Sequence, residues 1–151
     1  MKRLCFILVL LSGISGFAQK KVTLKHANTL SGSVENGVRN DWLIGEVVFE
    51  QNETTIYCDS AIFDRAKNFV DAFGHIRIVE GDSVTVTASR LTYDGNKKIA
   101  YLRRQVVFTK LKTATLYTEF LDFDRKKNIA TYFNHGKLVD STNTLTSVKG
   151  Y

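Results

Sequence analysis

At 151 residues the chain has the length of a single domain, since domains usually run to about 100–200 residues. It has no proline, although average usage of about 5% would place about seven in such a length, which excludes a Pro-rich or disordered linker and suits unbroken β-ladders, to which proline cannot donate. The formal charge is +6 and lopsided, with 7 basic and 10 acidic residues from Gln19 to Thr85 but 12 basic and 5 acidic from Val86 to Tyr151.

The chain opens on a basic pair, Lys2 and Arg3, an apolar run from Leu4 to Leu11, and the residues Gly16, Phe17 and Ala18 before Gln19. The run falls short of the ~20 residues that span a bilayer, so residues 1–18 read as a cleavable secretory signal and the remainder as an exported, soluble chain. One cysteine, Cys58, then remains. Without an intrachain partner it makes no disulfide, and its place in an alternating run with Ile56 reads as a buried small residue rather than a reactive thiol. Residues 19–40 read as a leader strand region and 41–151 as a repeating body. No stretch carries a helical stripe longer than one turn, near Val34 to Asn40.

From residue 41 the chain repeats itself. The segments starting at Ala61, Leu91 and Leu121 align without gaps at a spacing of 30, superimposing Asp64, Asp94 and Asp124, then Phe63, Tyr93 and Phe123, then Val70, Ala100 and Ala130. Upstream of each lies an apolar pair: Val47 with Phe49, Ile76 with Ile78, Val106 with Phe108. Within a copy the period is two, which predicts half-buried strands. In the second strand of each copy the inward positions step by three in the middle: Cys58 to Ala61, Ala88 to Leu91, Thr118 to Leu121. Such a shift of face predicts a bulge or corner at which the strand bends. Turns are expected at Gln51 to Thr54, Arg65 to Asn68, Glu80 to Ser83, Asp94 to Lys98, Lys110 to Thr113 and Arg125 to Asn128, where Asn, Asp and Gly recur. A strand pair cannot bury its apolar face alone, so the copies must stack around a shared core. The predicted fold is all-β and repeat-built, two antiparallel sheets facing each other as a jelly roll or an open sandwich, with terminal edges free to pair with another chain.

Catalytic and metal chemistry finds no support. His26, His75 and His135 have no metal-ligand spacing, and neither GxSxG, a P-loop nor GxGxxG occurs. Asp64, Asp94 and Asp124 stand one per turn, as local capping predicts, rather than converging as a glycosidase pair or a calcium loop would. No cofactor is expected. Arg103, Arg104, Lys110, Lys112, Arg125, Lys126 and Lys127 suit anionic partners such as phosphate-bearing lipid headgroups, with solvated turns as the plain alternative. Their short turn clusters lack the interleaved aromatics that nucleic-acid binding uses. A carbohydrate-binding sandwich would have to rely on Trp42, Tyr57 and Tyr117.

The strings L-x-G-x-V-x-F (Leu43, Gly45, Val47, Phe49), YCDSA (Tyr57 to Ala61), A-F-G-x-I-x-I (Ala72 to Ile78), GDSV through YD (Gly81 to Asp94) and DST-N-x-LTS-x-x-GY (Asp140 to Tyr151), together with the signal and the 30-residue period, resemble the OstA-like family of periplasmic lipopolysaccharide-transport proteins. That family includes LptA-type bridge proteins and the N-terminal domain of the outer-membrane translocon LptD. The resemblance covers about Val22 to Tyr151. It implies a repeat-built antiparallel β-jelly roll of two facing sheets with an open groove, periplasmic or outer-membrane-associated and without enzymatic activity, that holds lipopolysaccharide or a related lipid by its acyl chains between the sheets. It also implies edge-to-edge joining to other jelly-roll proteins of the bridge and translocon, or to further copies of itself. By match to the family's inward positions, the lipid-groove candidates are Val47, Phe49, Ile56, Phe63, Ile76, Ile78, Val86, Leu91, Val106, Phe108, Leu116 and Leu121, each with plain core packing as an equal alternative. The ending falls partway through a fourth copy and reads as an incomplete last repeat with an exposed edge. The competing function is a structural β-scaffold of the outer membrane without lipid cargo.

Overall fold

The computed structural model describes residues 20–35 and 37–151, so the expected signal sequence lies outside the described residues. Ten strands follow one another: β1 (Thr23–His26), β2 (Thr29–Glu35), β3 (Val38–Gln51), β4 (Thr54–Asp64), β5 (Phe69–Glu80), β6 (Val84–Asp94), β7 (Ile99–Lys110), β8 (Ala114–Asp124), β9 (Ile129–Asp140) and β10 (Thr144–Gly150). All belong to one antiparallel sheet, in which β3 to β10 form a meander while β1 and β2 both pair with β3. All six expected turns fall between consecutive strands. The segment around Val34 to Asn40 differs: instead of a helical turn, Val34 lies opposite Arg39 in the β2–β3 hairpin. A lone helical turn fixes several residues for one hydrogen bond, whereas pairing Thr29–Glu35 with Val38–Ile44 gives those strands a ladder of backbone partners.

Every long strand is bent in the middle. Along β3, β5, β7 and β9 the chain carries a pair of left-handed residues, Gly45–Glu46, Gly74–His75, Arg104–Gln105 and Asn134–His135, with φ between 41° and 81°. The ladder register slips by one residue at each of these pairs, so across every corner the odd strand carries one residue more than the even strand. The shift of face expected in the even strands is therefore half of a corner whose extra residue sits on the odd strands.

The corners fold the sheet into two leaves. Phe49 and Phe63 lie at opposite ends of the β3–β4 ladder, opposite Ile56 and Asp41 respectively, yet their rings meet edge to face at 5.2 Å. Phe108 and Phe123 do the same at 5.4 Å. The two facing sheets of the expected jelly roll are thus halves of one continuous sheet, creased along the corners, with its inner face folded on itself.

Candidate functional site

The twelve inward residues expected to form a lipid groove all line the interior. They belong to one contiguous core, with exposures from 0% for Val47, Phe49, Val86, Leu91 and Leu121 to 9% for Phe108. Through the first copies this interior is filled by its own side chains. It opens toward the last copy. Residues at corresponding repeat positions run Phe49 0%, Ile78 1%, Phe108 9% and Leu138 37% exposed. A cavity of about 260 Å³ lies at that end, lined by Phe108, Lys110, Leu116, Asn128, Ile129, Ala130, Tyr132, Leu138 and Tyr151. Of the twelve candidates, only Phe108 and Leu116 reach it. Ala130, Tyr132 and Leu138 were not among the candidates, although each stands 30 residues beyond an inward residue (Ala100, Leu102, Phe108). Leu145, opposite Leu138 on β10, is 59% exposed, so the inner face continues uncovered to the last strand.

Along the side opposite the crease, the leaves are tied by a polar seam. Gln51 at the end of β3 donates through Nε2 to the carbonyls of Lys20 (2.7 Å) and Gly95 (2.8 Å). It accepts through Oε1 from the Tyr93 hydroxyl. Arg125 donates to the Tyr93 oxygen (2.6 Å) and to Glu80 (2.9 Å). Between the leaves, Val22 is buried and its N–H donates to Asn68 Oδ1 at 2.8 Å, so the segment from Lys20 to Val22 stops the slot at the first copies. Arg125, expected in a basic turn cluster, has a side chain only 5% exposed. Its neighbours Lys126 and Lys127 are the solvated turn cations.

The model of the OstA-like protein family matches residues 19–151. The chain belongs to the OstA-like family. Among solved structures, the fold of this OstA-like chain is similar to LptH from Pseudomonas aeruginosa, described as the LptA-homologous periplasmic component of the conserved lipopolysaccharide transport device. The TM-score is 0.62 at 15% identity, covering 74% of this chain and 80% of that one. No curated protein matches the sequence.

The remaining sequence-flagged groups of the OstA-like chain serve its fold. Asp64 accepts the Lys67 N–H at 2.9 Å, Asp94 those of Asn96 and Lys97 at 3.0 and 2.9 Å, and Asp124 those of Lys126 and Lys127 at 3.0 and 3.1 Å, which is the expected capping. The Lys67 N–H holds the Asp64 carboxyl below its ordinary range. At Asp94 burial pushes upward, but the Lys97 and Asn96 hydrogen bonds outweigh it and the net shift is downward. Burial drives the Cys58 thiol up to about 12, which suits its place in the core. Burial also raises Tyr93. Burial works against the charge of Arg125, yet its hydrogen bond to Glu80 and the neighbouring Tyr93 hold its pKa above the ordinary value. Trp42 and Tyr57 stand on different leaves, and three strands separate Tyr57 from Tyr117, so the three aromatics on which a carbohydrate-binding sandwich would have to rely make no platform. Among the described residues, no group of three or more His, Cys, Asp and Glu is placed to hold a metal ion.

Proposed function

We propose that this OstA-like chain is a module of a periplasmic bridge that carries lipopolysaccharide or a related lipid toward the outer membrane. The observation that carries this reading is the graded opening of the interior: an apolar inner face, packed shut at Phe49 and Ile78, borders a cavity at Phe108 and Leu116 and is uncovered at Leu138. An acyl chain laid there continues the core in place of a further copy, gaining about 0.8 kcal/mol per buried CH₂. Lys110 at the rim stands where a headgroup phosphate would emerge. Family membership and the fold shared with LptH, a component of a lipopolysaccharide transport device, support the reading. In it, Phe108 and Leu116 contact lipid, while the ten other groove candidates form the wall that fixes the mouth. The free edge of β10, with exposed Leu145 and Val148, is the surface for the next jelly-roll unit, which would add a strand and prolong the trough.

The test places a photoreactive amino acid at Phe108, at Leu138 and, on the outer face, at Tyr117. Lipopolysaccharide should be labelled from the first two and not from the third. Equal labelling from Tyr117, or none from the mouth, would leave the scaffold reading, in which the edges join partners and the purified protein retains no lipid by mass spectrometry.

A further inference from the structure

On the outer face of the crease, away from the interior, three arginines gather around one depression. Phe73, Arg90, Arg103 and Phe120 face one another in register across β5, β6, β7 and β8. Arg90 and Arg103 are thus directly opposed, an arrangement that like charges disfavour. The Arg90 guanidinium lies 5.1 Å from the centre of the Phe73 ring. That of Arg103 lies 5.9 Å from Tyr101 and 5.6 Å from Phe120, and its Nη1 binds Asp122 at 2.8 Å. Arg104 follows, with φ at 65°. Its counterparts at this corner are Gly45, Gly74 and Asn134, the residue types that tolerate the left-handed region. Of the four corners, this one alone carries a long cationic side chain at its first left-handed position, next to Arg103. Among the described residues neither Arg90 nor Arg104 has an ion-pair partner. The depression that Phe73, Arg90, Tyr101, Arg103, Arg104 and Phe120 border has a volume of about 640 Å³, within the range of small-molecule sites.

We infer that this depression is a second ligand site, separate from the lipid mouth, and that it takes a phosphorylated sugar. Arg103 is neutralised by Asp122, which leaves two unpaired guanidinium forks, and a phosphomonoester brings close to two negative charges and planar-fork acceptors to match. The rings beside these guanidiniums, Phe73, Tyr101 and Phe120, add apolar surface at the border for the C–H groups of a sugar ring. The sugar phosphate can be free or displayed as a lipid headgroup.

The test uses the mature chain with glucose 6-phosphate, inorganic phosphate and glucose as separate probes in calorimetry and amide-shift titrations. Phosphatidylcholine vesicles with and without phosphatidylinositol 4-phosphate are used for co-sedimentation. Glucose 6-phosphate should bind saturably, shifting the amides of Arg90, Arg103 and Phe120, and at least tenfold more tightly than phosphate or glucose. Co-sedimentation with the phosphoinositide vesicles and no binding of the free sugar phosphate would support the site and assign it to a headgroup. Arg104→Gly restores the residue found at two other corners, so it should melt no lower than the parent while weakening binding at least tenfold, and Arg90→Gln should weaken it similarly. The inference is overturned if neither the sugar phosphate nor the vesicles bind, if both variants bind as the parent does, or if phosphate or glucose alone binds as tightly.

Discussion

Tyr93→Phe isolates the energy of the polar seam. Phe63 and Phe123 occupy the same repeat position in the neighbouring copies, so the site accepts a phenyl ring and the substitution removes only the hydroxyl. A rule based on repeat consensus would expect a neutral or stabilising change. The structure gives the opposite sign, because the hydroxyl donates to Gln51 Oε1 and accepts from Arg125 inside a buried network. Removing it leaves a buried amide oxygen without its donor and costs Arg125 one of its two side-chain acceptors. Arg125 is already short of a partner at Nε. A stranded buried polar atom costs about 1–3 kcal/mol and a bond to a charged group contributes about 1.5–3 kcal/mol, so a loss of about 2–4 kcal/mol is expected. With a urea m-value of about 2 kcal/mol/M, the midpoint should fall by about 1–2 M at unchanged m. Hydrogen exchange adds a local readout: the Val22 amide should lose protection before the central strands do. A midpoint within about 0.2 M of the parent, with Val22 still protected, would refute the claim that the seam holds the leaves together.

Four further outcomes follow from the same geometry. The Cys58 thiol, buried and with its pKa pushed up to about 12, should react with a disulfide reagent only at the rate of unfolding; prompt labelling of native protein would contradict its placement. Asp41, 1% exposed, is held below the ordinary carboxylate value of 3.8 chiefly by its hydrogen bond to Arg65, with Arg39 adding to it. Its contribution to stability is complete above pH 3.8 and is lost as pH falls through the lower folded-state value, so Asp41→Asn should flatten the acid limb of a stability–pH curve, and parallel limbs would refute this. Gly74→Ala forces a Cβ onto a backbone at φ +73° and into contact with the Asp59 carboxylate, and should cost about 1–2 kcal/mol in chemical denaturation; no loss would mean that the corner relaxes. Leu138→Gln, at a half-uncovered position, should shift stability by less than about 1 kcal/mol while reducing lipid photolabelling from Phe108 at least severalfold.

What the sequence made legible is what obeys a period. Alternation by two assigned Val47, Ile76 and Val106 to the interior, and recurrence by 30 located the turns and the capping aspartates. The step of three between Cys58 and Ala61 betrayed the crease. The seam obeys neither period: Gln51, Tyr93 and Arg125 come from different repeat positions and meet only because the leaves close. Arg65 and Arg125 even occupy the same repeat position, yet one is 54% exposed on Asp41 and the other 5% exposed against Tyr93. The mouth was readable in principle, since Leu138 stands 30 residues after Phe108, but exposure at an apolar position is a property of missing neighbours rather than of composition. The departures from the repeat, tyrosine for phenylalanine at 93 and arginine for glycine at 104, are where its local chemistry lies.

The unequal corner has a consequence for how this architecture can change in size. Because the odd strand carries one residue more than its neighbour across each corner, gaining or losing a single residue at a crease would turn every later side chain of that strand to the wrong face. Length can therefore vary freely only in the turns or in whole copies of about 30 residues. Each copy adds two strands at a spacing of about 4.8 Å, so the trough grows in increments of roughly 10 Å. The fold behaves as a ruler with fixed graduations, and the distance it can bridge is set by counting copies.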